Sequence, residues 1–360
     1  MRDQVIDKAI DNLPEFAVRS MDHYLAHKEI KATAKDIEPD YFPRIYQIET
    51  TSRCNLECPF CPRTIDLKQS KIRDLNEILP FEDFKNILRQ MPWLKSLELF
   101  HFGEPFMHRN ISEYLNFCRS SGIFTVLASN MQVATREKID EVFDAGLGFL
   151  VMDVDSLDAD TYAKARPPGR LKDLQPKVSY ALERMWKMRD VETPQEAIEW
   201  KKKNHHDPYQ KVGPYVIAQT IMLKDKPEYD EEEFIAWAGW PADEIRYKFL
   251  DSFRGSVVDK GTLGPDDICR EAFYGFTVHA NGNVVPCDRD WAGENVWGNL
   301  KTSSVSEVWR GEAANKFREQ MKSTSKPKMC LNCPEGKMVN LRSQAKIQVN
   351  MFKGAEVFHE

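Results

Sequence analysis

The chain has 360 residues, of which 42% are hydrophobic, 29% charged and 11% aromatic. That is a globular composition, long enough for one large domain or a domain and a half. The net charge of −6 argues against a nucleic-acid partner. No apolar run approaches the roughly 20 residues needed to cross a bilayer. The start, "MRDQVIDKAIDNLPEF", has no apolar stretch of the secretory kind. A cytoplasmic protein with no membrane partner is expected.

Residues 1–43 read as a helical segment ending in "EPDYFPR". An alternation of short β-rich runs and amphipathic helices then begins. "RIYQIET" is a first strand, and "FEDFKNILRQM" a helix before the second strand, "SLELFHF". "ISEYLNFCRSS" precedes "IFTVLAS", and "REKIDEVFDAG" precedes "FLVMDVD". "YVIAQTIML" and "IRYKFLD" are fifth and sixth strands, the latter after "EEEFIAWAGW". Such alternation predicts a parallel sheet with right-handed crossovers. Six units make a partial (β/α)6 barrel over residues 44–254, with ligands at the carboxyl ends of the strands.

The charged stretch at about 175–213 breaks the rhythm and reads as a solvated helical insertion or a lid. After Asp251 the alternation stops. "GFTVHANGNVVPC" is a hairpin around an Asn-Gly turn, and "SSVSEVWRGEAANKFREQM" a helix with a serine-rich cap. Residues 255–345 are expected as a small second domain, with a tail at 346–360.

The eight cysteines do not form a disulfide framework for an oxidising compartment, so metal or redox chemistry is the better reading. Cys54, Cys58 and Cys61 lie on one loop with C-x3-C-x2-C spacing. Three thiolates bind either zinc, with a remote fourth ligand, or an iron-sulfur cluster with one open iron. Cys269, Cys287, Cys330 and Cys333 are enough for a closed site, either zinc or iron-sulfur. Cys118, inside a helical run, reads as a buried structural thiol.

"CNLECPFC" resembles the cluster loop of the radical S-adenosylmethionine (SAM) superfamily. "HFGEP" stands where that family has "GGEP", with Phe102 in place of the first glycine. "ASN" ends the third strand, and "VMDVDSLDADTYAKAR" is similar to the fourth-strand pattern. The resemblance implies a 4Fe–4S cluster on Cys54, Cys58 and Cys61, its open iron chelating S-adenosyl-L-methionine. Glu104 would accept from the methionine amine, with Gly103 allowing close approach. Ser129 and Asn130 would meet the ribose region, Arg166 the cofactor carboxylate, and Asp153 a ribose or substrate hydroxyl. One electron would then release a 5′-deoxyadenosyl radical that takes hydrogen from substrate carbon. "GFTVHANGNVVPC", "VWGNLKTSSVSEVWRG" and "CLNC" together resemble the SPASM or twitch extension. That implies one auxiliary 4Fe–4S cluster on Cys269, Cys287, Cys330 and Cys333.

Lys248, Asp251 and Arg254, at the end of the sixth strand and just beyond it, are candidate catalytic groups, with Gln219, Asp288 and Arg289 as further contacts. His101, His279 and Tyr162 read as packing residues. The auxiliary spacing is similar to that of radical dehydrogenases of aminoglycoside pathways. A small polyhydroxylated substrate is therefore expected, such as a sugar, aminocyclitol or nucleoside. It would be dehydrogenated, epimerised or deoxygenated, with an electron donor such as a flavodoxin or ferredoxin. The alternative is modification of a ribosomal peptide or protein. Against it stand only some 43 residues before the first strand, fewer than the peptide-binding module of many such enzymes. A non-catalytic iron-sulfur or zinc protein is a third reading.

Overall fold

The structure is a computed structural model. It describes residues 39, 42–67, 73–203, 212–222, 228–249, 268–269, 271–331 and 333. The expected N-terminal helical segment, apart from its last residues, and the C-terminal tail lie outside these. So do Asp251 and Arg254.

In chain order the elements begin with β1 (Arg44–Ile48), α1 (Pro62–Leu67), α2 (Phe81–Arg89), β2 (Ser96–Glu98), α3 (Ile111–Ser120) and β3 (Phe124–Ser129). Next come α4 (Arg136–Asp144), β4 (Phe149–Asp153), α5 (Ala159–Ala165), α6 (Leu171–Lys187), α7 (Pro194–Lys203) and β5 (Tyr215–Met222). They are followed by α8 (Glu231–Ala238), β6 (Glu244–Phe249), α9 (Glu271–Tyr274), β7 (Gly275–Val278), β8 (Asn283–Val285) and β9 (Gly298–Asn299). The last helices are α10 (Val305–Trp309) and α11 (Glu312–Lys322). Several helices start where a side chain takes up an orphan backbone N–H. Thr135 caps α4, Asp158 caps α5, and reciprocal capping boxes open α8 (Asp230 with Glu233) and α10 (Ser304 with Glu307).

The strands form one sheet in the order β6-β5-β4-β3-β2-β1-β7-β8-β9. Strands β1 to β6 pair in parallel, giving the expected open (β/α)6 barrel. Strand β7 then adds in parallel to the free side of β1, and β8 and β9 continue antiparallel. The auxiliary segment is thus hydrogen-bonded into the barrel sheet.

Alternation along the strands sorts side chains between two faces. Leu97, Leu127, Leu150, Met152, Val154, Val216 and Ala218 are buried in the layer between sheet and helices. Cys118 of α3 lies in that layer too, fully buried, as a structural thiol does; burial pushes it up to about 12. On the opposite face, Phe124, Phe149 and Tyr215 meet ring to ring at 4.9 and 5.2 Å near the strand starts. They floor the lumen. Toward the strand ends that face turns polar, with Gln47, Glu98, Asp153, Gln219, Arg246 and Lys248.

The stretch expected as an insertion begins inside α6. Val178, Ala181, Leu182, Met185 and Trp186 of that helix are buried in the core, because α6 is the long central helix of the crossover from β4 to β5. The indole of Trp186 donates to the Pro241 carbonyl at 2.8 Å. Helix α7 packs on it through Trp200, ring centroids 5.4 Å apart.

Candidate functional site: two thiol sets and a charged rim

Cys54, Cys58 and Cys61 follow β1 on a loop that closes over its own apolar side chains. Leu56, Phe60 and Ala165 pack around the thiols, with Ile221 beside them. The Cys61 N–H donates to the Cys58 carbonyl at 3.0 Å, and the Cys61 carbonyl accepts from the N–H groups of Thr64 and Ile65 in α1. The three thiols are free and near enough for charge on one to disfavour charge on another. Burial, above all, pushes each up to about 11. Thiols raised this far keep their protons near neutral pH, and a metal centre would have to displace them to bind.

Gly103 sits where two loops collide. A Cβ there would lie 1.8 Å from the Thr51 carbonyl oxygen. The N–H of Glu104 also donates to the Arg53 carbonyl at 2.7 Å. The glycine is therefore required for backbone to approach backbone, which draws the GEP loop against the cysteine loop.

Glu104 is 2% exposed and ties three segments. Its Oε1 accepts from the Phe106 N–H at 3.0 Å and the Ser129 hydroxyl at 2.8 Å; its Oε2 accepts from the Asn130 N–H at 2.8 Å. A carboxylate has about four acceptor positions, so one remains on Oε2. Burial outweighs these bonds and raises the group to about 7. The Ser129 hydroxyl also accepts from the Met131 N–H at 2.9 Å, so it is committed to the loop itself. Asn130 reaches back to the cysteine loop, donating to Asn55 Oδ1 at 3.1 Å with Cys54 Sγ at 3.9 Å.

Arg166 is buried beside Cys58, its Nη1 at 3.9 Å from Sγ and its guanidinium over the Phe60 ring. Burial opposes its charge, but Asp155 and Asp153 outweigh that and hold it well above its ordinary value. Nε pairs with Asp155, and Nη1 lies 3.2 Å from Asp153. Asp155 is fully buried and also accepts from the Ile221 N–H at 2.9 Å. The sequence reading passed over Asp155, although its spacing of two residues from Asp153 was a signal. Asp153 takes a further bond from Gln219 at 3.1 Å. Tyr162 is buried, its hydroxyl accepting from Gln132 at 3.0 Å.

Lys248 is exposed on β6, close enough to favour charge on Asp153 and Glu98. Glu98, also passed over, accepts from Gln47 at 2.7 Å, and burial raises its pKa.

The second thiol set is dispersed in sequence and gathered by the fold. Charge on Cys269, Cys330 or Cys333 would act on Cys287, and burial, above all, raises Cys269 and Cys287 well above the usual thiol value. All four are free. Among the described residues, no three His, Cys, Asp or Glu side chains converge as the ligands of a single metal ion do. Four thiols gathered by the fold are enough ligands for a 4Fe–4S cluster, in which each cysteine takes a different iron.

Two family profiles match the chain: the Radical SAM superfamily over residues 48–193, and the SPASM iron-sulfur cluster-binding domain over residues 269–334. The chain belongs to the radical SAM superfamily and carries a SPASM domain. Its cofactors are S-adenosylmethionine and 4Fe–4S clusters, and the donor sets above fit them.

A PqqA peptide cyclase of Xanthomonas euvesicatoria pv. vesicatoria is 24% identical over 321 residues, 80% of this chain and 79% of the relative. One from Bradyrhizobium diazoefficiens is 30% identical over 107 residues, 29% of this chain and 27% of that relative's length. Streptococcus suis SuiB bound to its precursor peptide SuiA shares the fold, with a TM-score of 0.55 at 14% identity over 89% of this chain and 81% of that one.

The relatives overturn the expectation of a small polyhydroxylated substrate, since both are named as peptide cyclases. The physical reason is plain: cysteine spacing reports how a cluster is held, whereas the lumen and its rim select the substrate. Dehydrogenation, epimerisation or deoxygenation of such a molecule loses its support with it. Among the described residues no helix is long and apolar enough to cross a membrane.

Proposed function

We propose that this radical SAM enzyme modifies a ribosomally made peptide, joining two of its side chains with loss of two hydrogen atoms. The observation that carries the reading is the alignment with a peptide cyclase over 80% of the chain, through barrel and auxiliary segment alike. When bound, S-adenosylmethionine and the clusters supply one-electron chemistry, with hydrogen-atom abstraction from carbon and an acceptor for the electron released.

In this reading Cys54, Cys58 and Cys61 hold the first cluster, and Cys269, Cys287, Cys330 and Cys333 the auxiliary one. The open acceptor position on Glu104 would take an N–H of the cofactor's amine, and Arg166 would hold its carboxylate. Asn130 keeps the loop after β3 on the cysteine loop. Leu56, Phe60 and Ile221 exclude water from the thiols. The aromatic floor closes the lumen below, so a peptide segment enters from the strand ends. One hydrogen leaves as a proton, for which Glu98 and Asp153 are the acceptors. Burial raises both, which makes them stronger bases when ionised. Lys248 at the rim orients the peptide. The reductant is a flavodoxin or ferredoxin.

The test is anaerobic turnover of the reconstituted enzyme with short peptides encoded beside its gene, read by mass spectrometry. The expected product is a peptide lighter by two hydrogens, formed with 5′-deoxyadenosine. 5′-Deoxyadenosine released while every peptide stays unchanged counts against the reading.

A further inference from the structure

One buried ion pair joins the two halves of the molecule. Glu49, the residue after β1, is fully buried. Its Oε1 accepts from the Phe102 N–H at 3.3 Å, in the loop that carries Gly103 and Glu104. Its Oε2 accepts from the Ala280 N–H at 3.2 Å, in the turn after β7. The same carboxylate pairs with Arg73, whose side chain is 6% exposed. Arg73 in turn donates from Nη1 to the Trp291 carbonyl at 3.0 Å, four residues after Cys287. Glu49 is five residues before Cys54. One ion pair therefore touches the approach to the first cysteine loop, the GEP loop and two turns of the auxiliary segment.

A second contact runs parallel to it. His101 Nε2 lies 2.8 Å from the carbonyl oxygen of Asp288, the residue after Cys287. The acceptor is a carbonyl, so Nε2 carries the proton. The ring stacks on His279 at 5.4 Å between centroids. Beyond the Cys287 turn, Asp290 is fully buried and accepts from the Glu294 and Asn295 N–H groups at 2.9 and 2.7 Å. The Asn295 amide reaches the sulfur of Met329 at 3.0 Å, next to Cys330. The frame built on Glu49 and Arg73 thus extends toward the later auxiliary cysteines.

We infer that Glu49 and Arg73 are positioning residues that lock the Cys287 ligand turn to the GEP loop, with His101 as the second tie. The auxiliary cluster is then held in fixed relation to the cofactor site. A buried charge is strongly destabilising without its counter-charge, so the pair favours the arrangement of the four segments that keeps Glu49 against Arg73. The inference rests on the proposed assignment of Cys287 to the auxiliary cluster. An iron count on Cys287→Ala tests that assignment separately.

The experiment reads the auxiliary cluster alone, in protein where Cys54, Cys58 and Cys61 are alanine. Electron paramagnetic resonance and a redox titration are recorded for that parent, for added Glu49→Gln, and for Glu49→Gln with Arg73→Met. The double change removes both charges of the pair, so neither Glu49 nor Arg73 is left without its counter-charge; it also takes a positive charge from near Glu77 and Asp290. The expected result is an altered spectrum and a shifted midpoint potential in both, at unchanged auxiliary iron. A loss of auxiliary iron at an unchanged melting temperature supports the inference equally. His101→Phe keeps the ring and loses only the bond to Asp288. It should move the same signals in the same direction by less, and it stands in if the Glu49 variants fail to fold. A parental spectrum and potential in His101→Phe and in every Glu49 variant that folds would overturn the inference.

Discussion

The two thiol sets solve one problem in opposite ways. The barrel set is local: three cysteines within eight residues, on a loop wrapped by its own Leu56 and Phe60. The auxiliary set spans residues 269–333 and is gathered by a hairpin, two helices and a last turn. The local set has its spacing fixed by one short loop, onto which Ala165, Ile221, Asn130 and Arg166 pack, whereas the dispersed set depends on the packing between distant segments to bring its cysteines together at all. The buried arginines repeat the contrast. Arg166 in the barrel is neutralised by Asp153 and Asp155. Arg318 in the auxiliary half donates to the carbonyls of Ala272 and Trp309 at 2.8 Å and lies over the Trp309 ring at 3.9 Å.

The largest effects should come from the thiols. Replacing Cys54, Cys58 and Cys61 with alanine should abolish 5′-deoxyadenosine formation. Bound iron should fall from about eight to about four per chain. A count that does not fall breaks the division into two independent sets. Cys287→Ala should do the converse: auxiliary iron lost, 5′-deoxyadenosine still formed, and peptide product greatly reduced. Equal loss of both activities would mean that the local cradle is not self-sufficient.

Next come the arginines. Arg166→Gln strands the fully buried Asp155, so unfolding by denaturant should show a loss of about 3–5 kcal/mol. Adding Asp155→Asn should restore much of it, because the isolated charge goes too. Arg318→Ala leaves carbonyls short of a donor but strands no charge, and should cost less, about 2–3 kcal/mol. A larger loss at Arg318 than at Arg166 would reverse the comparison.

The same contrast decided what was legible in the sequence. Six strands could be read because each is a short apolar run between amphipathic helices, and the first thiol set because its spacing is local. The addition of β7 to β1 was not readable: it pairs Arg44 with Gly275 across more than half the chain, and no local pattern encodes that. For the same reason Glu49 looked like any residue before a loop, although its partners lie at Arg73, Phe102 and Ala280. Gly103 was legible as necessary, but the reason assigned was different. It yields to the Thr51 carbonyl, a contact between two loops. Substrate class was misread because it was inferred from the auxiliary cysteines, which are the part of the site least concerned with it.

The smallest effects are in pH, where the halves should differ in sign. Burial holds Glu104 at about 7, above its ordinary value near 4.5. Between those values the unfolded chain has shed a proton that the folded one keeps. Stability from this group is therefore full below about 4.5 and is lost as pH rises toward 7, with a slope of at most about 1.4 kcal/mol per pH unit. Glu307 in the auxiliary half is exposed, and its bonds to the backbone and side chain of Ser304 lower its pKa. Its contribution is present above 4.5 and fades as pH falls through the lowered value. Melting temperatures of protein without cofactor, measured from pH 4 to 8, should show this. Glu104→Gln should flatten the decline on the alkaline side, and Glu307→Gln should weaken only the dependence on the acid side. If Glu104→Gln leaves the alkaline decline intact, other buried barrel carboxylates, Glu98 and Asp153 first, carry it instead, since burial raises them in the same direction.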